Sequence, residues 1–399
     1  MRATRRPQSN CPGMEGGRVC NRILVVITED WFALSHFKPL LAELRSLARE
    51  VVIATRSSGR LAELEVLGVR AIDFDMQRGS FNPLKLAAVR KQLAALIDIE
   101  RPDVVHAVSL QPMLMASLAS RSARHRTYAL VLHVTGLGYI AASRSPKARL
   151  ARNLTFAVIR RAVADARVWL LGENPDDLRF AVDRGIGSTP RSTVIPGAGV
   201  DPVEFPAQPP PDSTPPRAAY VGRLIRSKGV ETLVAALEVL RARGIALDLA
   251  LYGASDAHNP DAVSGEMLGE WKRRPRLSCP GHVADVRTVW RDTDIAVVPT
   301  LGGEGIPRSL LEAAASARPI VASDVSGCKH FLRDGIEGAL VPPGDVNRLA
   351  DALERLARAP PLRRRQGTAA RERLLAGYTT AAVQSAIRDA YVAIFQRAR

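Results

Sequence analysis

Short runs of consecutive apolar, β-branched residues alternate along this chain with longer amphipathic stretches, and the pattern runs twice. The first passage begins with RILVVIT at residues 22–28 and continues with strand-like runs at 50–55, 69–75, 103–109, 128–136, 166–172 and 191–199. Helical stretches fall at 39–48, 61–67, where Gly68 supplies the stop, and 84–100. A strand covered on one face alternates apolar with polar residues, whereas one covered by helices on both faces reads as a continuous apolar run. Strand–helix alternation with such runs implies a parallel, doubly wound sheet.

The pattern breaks at 201–217, DPVEFPAQPPPDSTPPR, where proline is too dense for a helix or a central strand and a stiff linker is expected. It then restarts, with strands at 218–222, 246–253, 294–300 and 319–324, helices at 230–243 and 308–317, and three closing helical stretches, the last at about 380–399. The expected organisation is a disordered extension over 1–21, an N-terminal domain over 22–200, the linker over 201–217, a C-terminal domain over 218–379, and a final helix over 380–399 packing back on the N-terminal domain. Ligands of such sheets lie at the carboxyl ends of the strands, so two facing domains imply a cleft whose functional residues follow strands.

Composition narrows the classes. No apolar run reaches the ~18 residues of a spanning helix. Cys11, Cys20, Cys279 and Cys328 form no CxxC pair, which fits free thiols in a reducing, cytoplasmic compartment. The net charge of +16 favours an acidic partner: a nucleotide, a nucleic acid or an anionic membrane surface. A non-enzymatic nucleic-acid binder is the alternative from another class. Dispersed basic residues, 5% aromatics and the lack of a binding motif count against it, so no nucleic-acid partner is expected.

The strongest chemical signal is EGIPRSLLEA at residues 304–313, which follows the strand at 294–300 through LGGEG. Gly302, Gly303 and Gly305 allow a tight bend and close approach to a ligand, and Pro307 suits the first turn of a helix. A glycine loop feeding a helix N-terminus suits a diphosphate. Glu304 and Glu312, about two helical turns apart, can accept hydrogen bonds from two sets of hydroxyls on one extended ligand. In YVGRLIRSKGVETL, a strand ends at Gly222, and Arg223 and Lys228 bracket a short loop, placed to neutralise a leaving diphosphate.

Taken in this order, Arg223, Lys228 and the Glu304-to-Glu312 spacing resemble the retaining glycosyltransferases of family 4, with the GT-B fold: two Rossmann-like α/β domains facing across a cleft. TEDWFALSHFKPL, HVTGLGYI, ENPDDLRFAV and VIPGAGVD are similar to the capsular and exopolysaccharide branch, whose members extend sugars on a polyprenyl-diphosphate carrier. The resemblance implies that Glu304 holds the donor sugar, Glu312 the ribose, and Arg223 and Lys228 the diphosphate, joined by backbone amides near Gly222, Gly303 and Gly305. CPGHV, with His282 and Val283, corresponds to the segment that cradles the base.

On the acceptor side the resemblance implies Thr135 and Gly136 of TGLG, together with His36. Thr135 stands where many members carry a histidine. His133 shares its strand face with Thr135 and points either toward the ligand or into the core. The implied reaction moves a hexose or N-acetylhexosamine from a nucleotide-sugar, UDP before GDP, onto a polyprenyl-diphosphate-linked sugar, with retention and without a metal or other cofactor. Asp73 and Asp75 of DFD match a metal motif of a different transferase fold and read here as a polar strand end. A helix over 143–167 carries Lys147, Arg149, Arg152, Arg160 and Arg161, with Leu150, Leu154 and Val158 along another side, a pattern shared by core helices and by helices that rest on anionic lipid. A nucleotide-sugar epimerase of the same fold is the second alternative; it needs a cleft acid and base that the chain does not pair.

Overall fold

The computed structural model describes residues 18–76, 83–136, 146–163, 168–255, 259 and 261–396. Most of the extension expected over 1–21, Gly138 of TGLG and both ends of the helix expected over 143–167 lie outside them.

Among the described residues, the first sheet contains β1 (Cys20–Glu29), β2 (Ala48–Arg56), β3 (Arg70–Asp73), β4 (Val104–Val108), β5 (Ala129–Val134), β6 (Val168–Gly172) and β7 (Ser192–Val194). Their order is β3-β2-β1-β4-β5-β6-β7. The pairings of β1 with β2 and β4, and of β4 with β5, are parallel, with Ile23 opposite both Val51 and Val104. The second sheet holds β8 (Arg217–Val221), β9 (Asp248–Tyr252), β10 (Leu277–Gly281), β11 (Ile295–Val298), β12 (Ile320–Ser323) and β13 (Gly338–Val341) in the order β10-β9-β8-β11-β12-β13, parallel throughout.

The apolar runs are continuous because both sheet faces are buried. On β8, Ala218 and Tyr220 enter one cluster with Leu233, Leu237 and Leu353, while Ala219 enters the opposite cluster with Trp290, Leu310 and Leu311. On β11, Ile295 and Val297 divide from Ala296 and Val298 in the same way. This is the period of two carried through a strand with no solvent face.

Two compact units emerge. One joins Met1–His133 with Ile159–Trp169 and Gln384–Arg399; the other joins Val134–Val158 with Leu170–Val383. The boundary runs through the first sheet, so the ends of β5 and β6 group with the second unit. The closing helices are Val346–Arg358, Pro360–Gly377 and Thr380–Gln396. In the first unit, Arg388 of the last helix donates to both carboxylate oxygens of Glu43. The proline-rich segment packs along the second unit: Phe205 is buried in its core, and Arg371 and Arg318 donate to the carbonyls of Phe205 and Pro209.

Sequence reading passed over several elements, including the helices Asp30–His36 and Leu110–Ser120. Both are short and follow a strand directly, so no polar loop marks their start. The helix Pro146–Ala162 turns Phe156 and Ile159 inward, while Leu150, Leu154 and Val158 are 61%, 56% and 40% exposed. Among the described residues, no helix is long and apolar enough to cross a membrane.

Candidate active site

In the second sheet the chain steps from β8 outward through β9 to β10, then restarts at β11 on the other side of β8 and moves through β12 to β13. β8 and β11 are therefore the point where the strand order reverses, and the carboxyl ends at such a point are where ligands of these sheets bind. Both strong sequence signals fall there. Gly222, Arg223 and Lys228 follow β8, and Gly302, Gly303, Glu304 and Gly305 follow β11.

The β8 loop is braced from below. Gly222 N–H donates to the Tyr252 carbonyl at 3.0 Å, and the buried Tyr220 hydroxyl donates to the Arg223 carbonyl at 2.7 Å. Lys228 closes a 3-10 turn, Arg226–Lys228, tied to Asp261 through the Arg226 and Ser227 N–H groups, both at 2.8 Å. Leu301 N–H then donates to the Ser227 carbonyl at 2.8 Å and joins the two loops. Across this junction Lys228 Nζ pairs with Glu304 Oε2. The other oxygen, Glu304 Oε1, is buried without a hydrogen-bond partner. Burial raises the Tyr220 phenol, and the Glu304 charge adds to the effect.

Pro307 stands one residue before the helix Arg308–Ala315, as its N-cap rather than in its first turn. Glu312 is 6% exposed and accepts from Arg308 Nε at 2.7 Å. Burial raises its carboxyl above the usual range, and Arg308 opposes that shift. His282 and Val283 follow β10, two strands from β8. Gly253 N–H donates to the Gly281 carbonyl at 2.8 Å and holds this strand end beside that of β9. His282 is exposed; Val283 is half-buried against the cluster that holds Trp290 and Leu310.

Gly302 and Gly303 bend the glycine loop with φ of +115° and +82°. Gly305 N–H donates to the Thr135 carbonyl at 3.1 Å. Gly136 backs this contact, because a Cβ there would collide with the backbone of Glu304 and Gly305. The next amide, Ile306 N–H, donates to Glu173 Oε2 at 2.9 Å. Gly305 makes room for that carboxyl, since a Cβ on it would overlap Glu173 Oε2.

Sequence reading does not single out Glu173 within ENPDD. Its signal is a strand end running straight into a capped helix: Asn174 Oδ1 accepts from Asp177 N–H at 2.9 Å, and Pro175 opens the helix Pro175–Val182. Burial drives Glu173 up to about 8. Its neighbour Asp176 pairs with Lys329 Nζ at 2.9 Å, accepts from Ser326 Oγ at 3.0 Å and lies 3.1 Å from His330 Nε2. Those partners, Lys329 first, lower Asp176 to about 2.

In the first unit, His36 is half-buried, with Nδ1 2.7 Å from Ser35 Oγ and its ring against Phe32. His133 is 2% exposed and takes the inward of its two expected orientations. Its Nδ1 lies 3.2 Å from His106 Nε2, whose other nitrogen meets Tyr391 Oη at 2.7 Å. Burial lowers His133 to about 4, so the imidazole is neutral, and its Nε2 is buried without a hydrogen-bond partner. Asp73 accepts from Ser57 N–H at 3.0 Å, and Asp75 lies 4.0 Å from Arg56. Among the described residues, no group of three or more His, Cys, Asp or Glu gathers as a metal-ligand set.

Comparison with known proteins covers both halves of the chain. Residues 215–359 match the family described as glycosyl transferases group 1, and residues 22–166 match the glycosyl transferase 4-like family. The EpsD protein of Bacillus subtilis (strain 168) is 24% identical over 368 residues, 89% of this chain and 92% of its own. The capsular polysaccharide biosynthesis glycosyltransferase CapM of Staphylococcus aureus is 26% identical over 155 residues, 39% of this chain and 40% of CapM. The solved structure of Anabaena Alr3699/HepE in complex with UDP and glucose superposes with a TM-score of 0.75 at 17% identity, over 93% of this chain and 99% of that one. With a group 1 domain around the paired Lys228 and Glu304 and a 4-like domain before it, the chain belongs to the glycosyltransferases and has the GT-B fold.

Proposed function

We propose that this protein is a retaining glycosyltransferase that moves a hexose or N-acetylhexosamine from a UDP-sugar onto a lipid-linked sugar during polysaccharide assembly. The observation that carries the reading is the Lys228–Glu304 pair between two strand-end loops, with Glu304 Oε1 buried and unpartnered. A buried carboxylate oxygen without a donor costs free energy until a hydroxyl reaches it. A donor-sugar hydroxyl is the group that the family resemblance assigns to this residue. Arg223 and Lys228 supply the positive charge for the departing diphosphate, which is where charge develops during transfer. They do so without a metal, and the reading includes no other cofactor.

Glu312 takes the ribose hydroxyls, with Arg308 fixing its carboxylate. Gly222, Gly303, His282 and Val283 line the remainder of the donor site by backbone and packing. The acceptor hydroxyl attacks from the face that the diphosphate leaves, and the leaving phosphate takes the proton. Thr135, Gly136 and His36 lie on the acceptor side. UDP as the donor nucleotide is supported by the UDP-bound structure of HepE, and polysaccharide assembly by the name of CapM.

A lipid-linked acceptor is supported by the helix Pro146–Ala162. It carries no acidic residue, bears Arg152, Arg160 and Arg161, and exposes Leu150, Leu154 and Val158 at four-residue spacing. Such a helix rests on anionic lipid with its apolar stripe in the headgroup region, at the inner face of the cytoplasmic membrane.

The test is a calorimetric panel of UDP, GDP, ADP and their common sugar conjugates, with and without EDTA, on wild type and Glu312→Ala. Selective UDP binding that persists in EDTA and weakens in the variant is expected. GDP selectivity would replace the base, and loss of binding in EDTA would overturn metal independence. Absence of binding to every nucleotide would overturn the reading itself.

A further inference from the structure

Glu173 is the buried acid next to the donor loop that the proposed chemistry leaves unused. It follows β6 directly and meets the loop two residues beyond Glu304, through the Ile306 N–H at 2.9 Å. Gly305 admits it, because any Cβ there would overlap the carboxyl. Three residues further on, Asp176 holds the helix Ser326–Lys329 through Ser326 and Lys329. That helix in turn presses on the same loop, since a Cβ on Gly327 would overlap the Gly305 carbonyl. One strand-end segment thus braces the glycine loop directly and from behind, within the second unit.

We propose that Glu173 is a positioning residue for sugar transfer: seated on the Ile306 N–H beside Gly305, its carboxyl keeps the Glu304 loop in the shape that receives the donor. The inference rests on the reading of that loop as the donor site. A neutral carboxyl suits the role. Burial drives Glu173 up to about 8, Asp177 and Glu304 push it the same way, and the Ile306 N–H opposes them. The charged groups around it are Asp177 on its own segment, Asp176 with Lys329 and His330, and Glu304 with Lys228. Ionisation adds a second negative charge beside Glu304, close to where a diphosphate is due, so donor affinity falls as pH rises through about 8.

The test uses the full chain and UDP as the probe. Binding is measured on both sides of pH 8 for wild type, Glu173→Gln and Glu173→Ala, and hydrogen exchange at the Ile306 amide is followed without ligand. Glu173→Ala is expected to weaken UDP binding about tenfold and to speed exchange at Ile306. Glu173→Gln keeps an acceptor and cannot ionise, so it recovers most of that affinity and removes the alkaline decline. A merely structural role would not move the pH profile. Variants that match wild type in affinity, pH profile and exchange would overturn the proposal while leaving the donor site intact. A wild type that binds no UDP, GDP or ADP would overturn the donor-site reading and this inference with it.

Discussion

The hydroxyl of Tyr391 meets Nδ1 of His106 at 2.7 Å, joining a residue of the last helix to a strand laid down 285 residues earlier. Both groups are fully buried, and burial drives the His106 imidazole well below its usual value, so the pair is neutral. Replacing Tyr391 by Phe removes the hydroxyl and strands a buried ring nitrogen. The expected loss is about 1–3 kcal/mol in urea unfolding. Unchanged stability would mean that His106 finds another partner.

Lys228→Met removes the cation from Glu304 and leaves a carboxylate at a half-buried position without its counter-charge. UDP affinity should fall by roughly 10- to 100-fold, the scale of one charge-assisted contact to phosphate. Glu304→Gln keeps the shape and loses the charge, and should lower the transfer rate more than UDP affinity. If both variants bind UDP as wild type does, the two loops do not form the donor site.

Glu173 also sets a pH dependence of stability. Its folded value of about 8 lies above the 4.5 of an ordinary glutamate. Below 4.5 both states carry the proton and nothing is lost. Between 4.5 and about 8 the unfolded chain binds fewer protons than the folded one, so stability falls as pH rises; above 8 the curve is flat again. The full loss is on the order of 5 kcal/mol. Urea midpoints measured across this range should decline in wild type and decline less in Glu173→Gln. Parallel curves would show that the carboxyl ionises normally.

Leu150→Ser and Leu154→Ser change exposed positions, so stability should move by less than about 0.5 kcal/mol. Binding to phosphatidylglycerol-containing vesicles should drop, and wild-type binding should weaken with added salt. Sedimentation with vesicles reads both. Equal sedimentation of wild type and the double variant would exclude this helix as the lipid contact.

The sheets were legible wherever the chain is buried on both sides, because RILVVIT or DIAVVPT has one sensible placement in a doubly wound fold. The loops carrying Arg223, Lys228 and Glu304 were legible because glycine and charge immediately follow strand ends, which is where such folds keep their ligands. Glu173 was not, because its partner is a backbone amide 133 residues away, and nothing local marks a carboxyl that will be buried. Gly305 was read as a ligand contact for its lack of a side chain. The structure uses that same property to admit Glu173. His133 was ambiguous for a related reason: strand periodicity gives its face, and only the distant Tyr391 and His106 show that this face is filled.

The first unit takes its closing residues, Gln384–Arg399, from the far end of the chain, whereas the second sheet is contiguous from Arg217 to Val341. On a ribosome, the sheet made second has all its strands before the unit begun first has its last helix. Until Tyr391 emerges, His106 and His133 wait in a half-built interior, so a nascent chain stalled before that helix should be held by chaperones through its N-terminal rather than its C-terminal half.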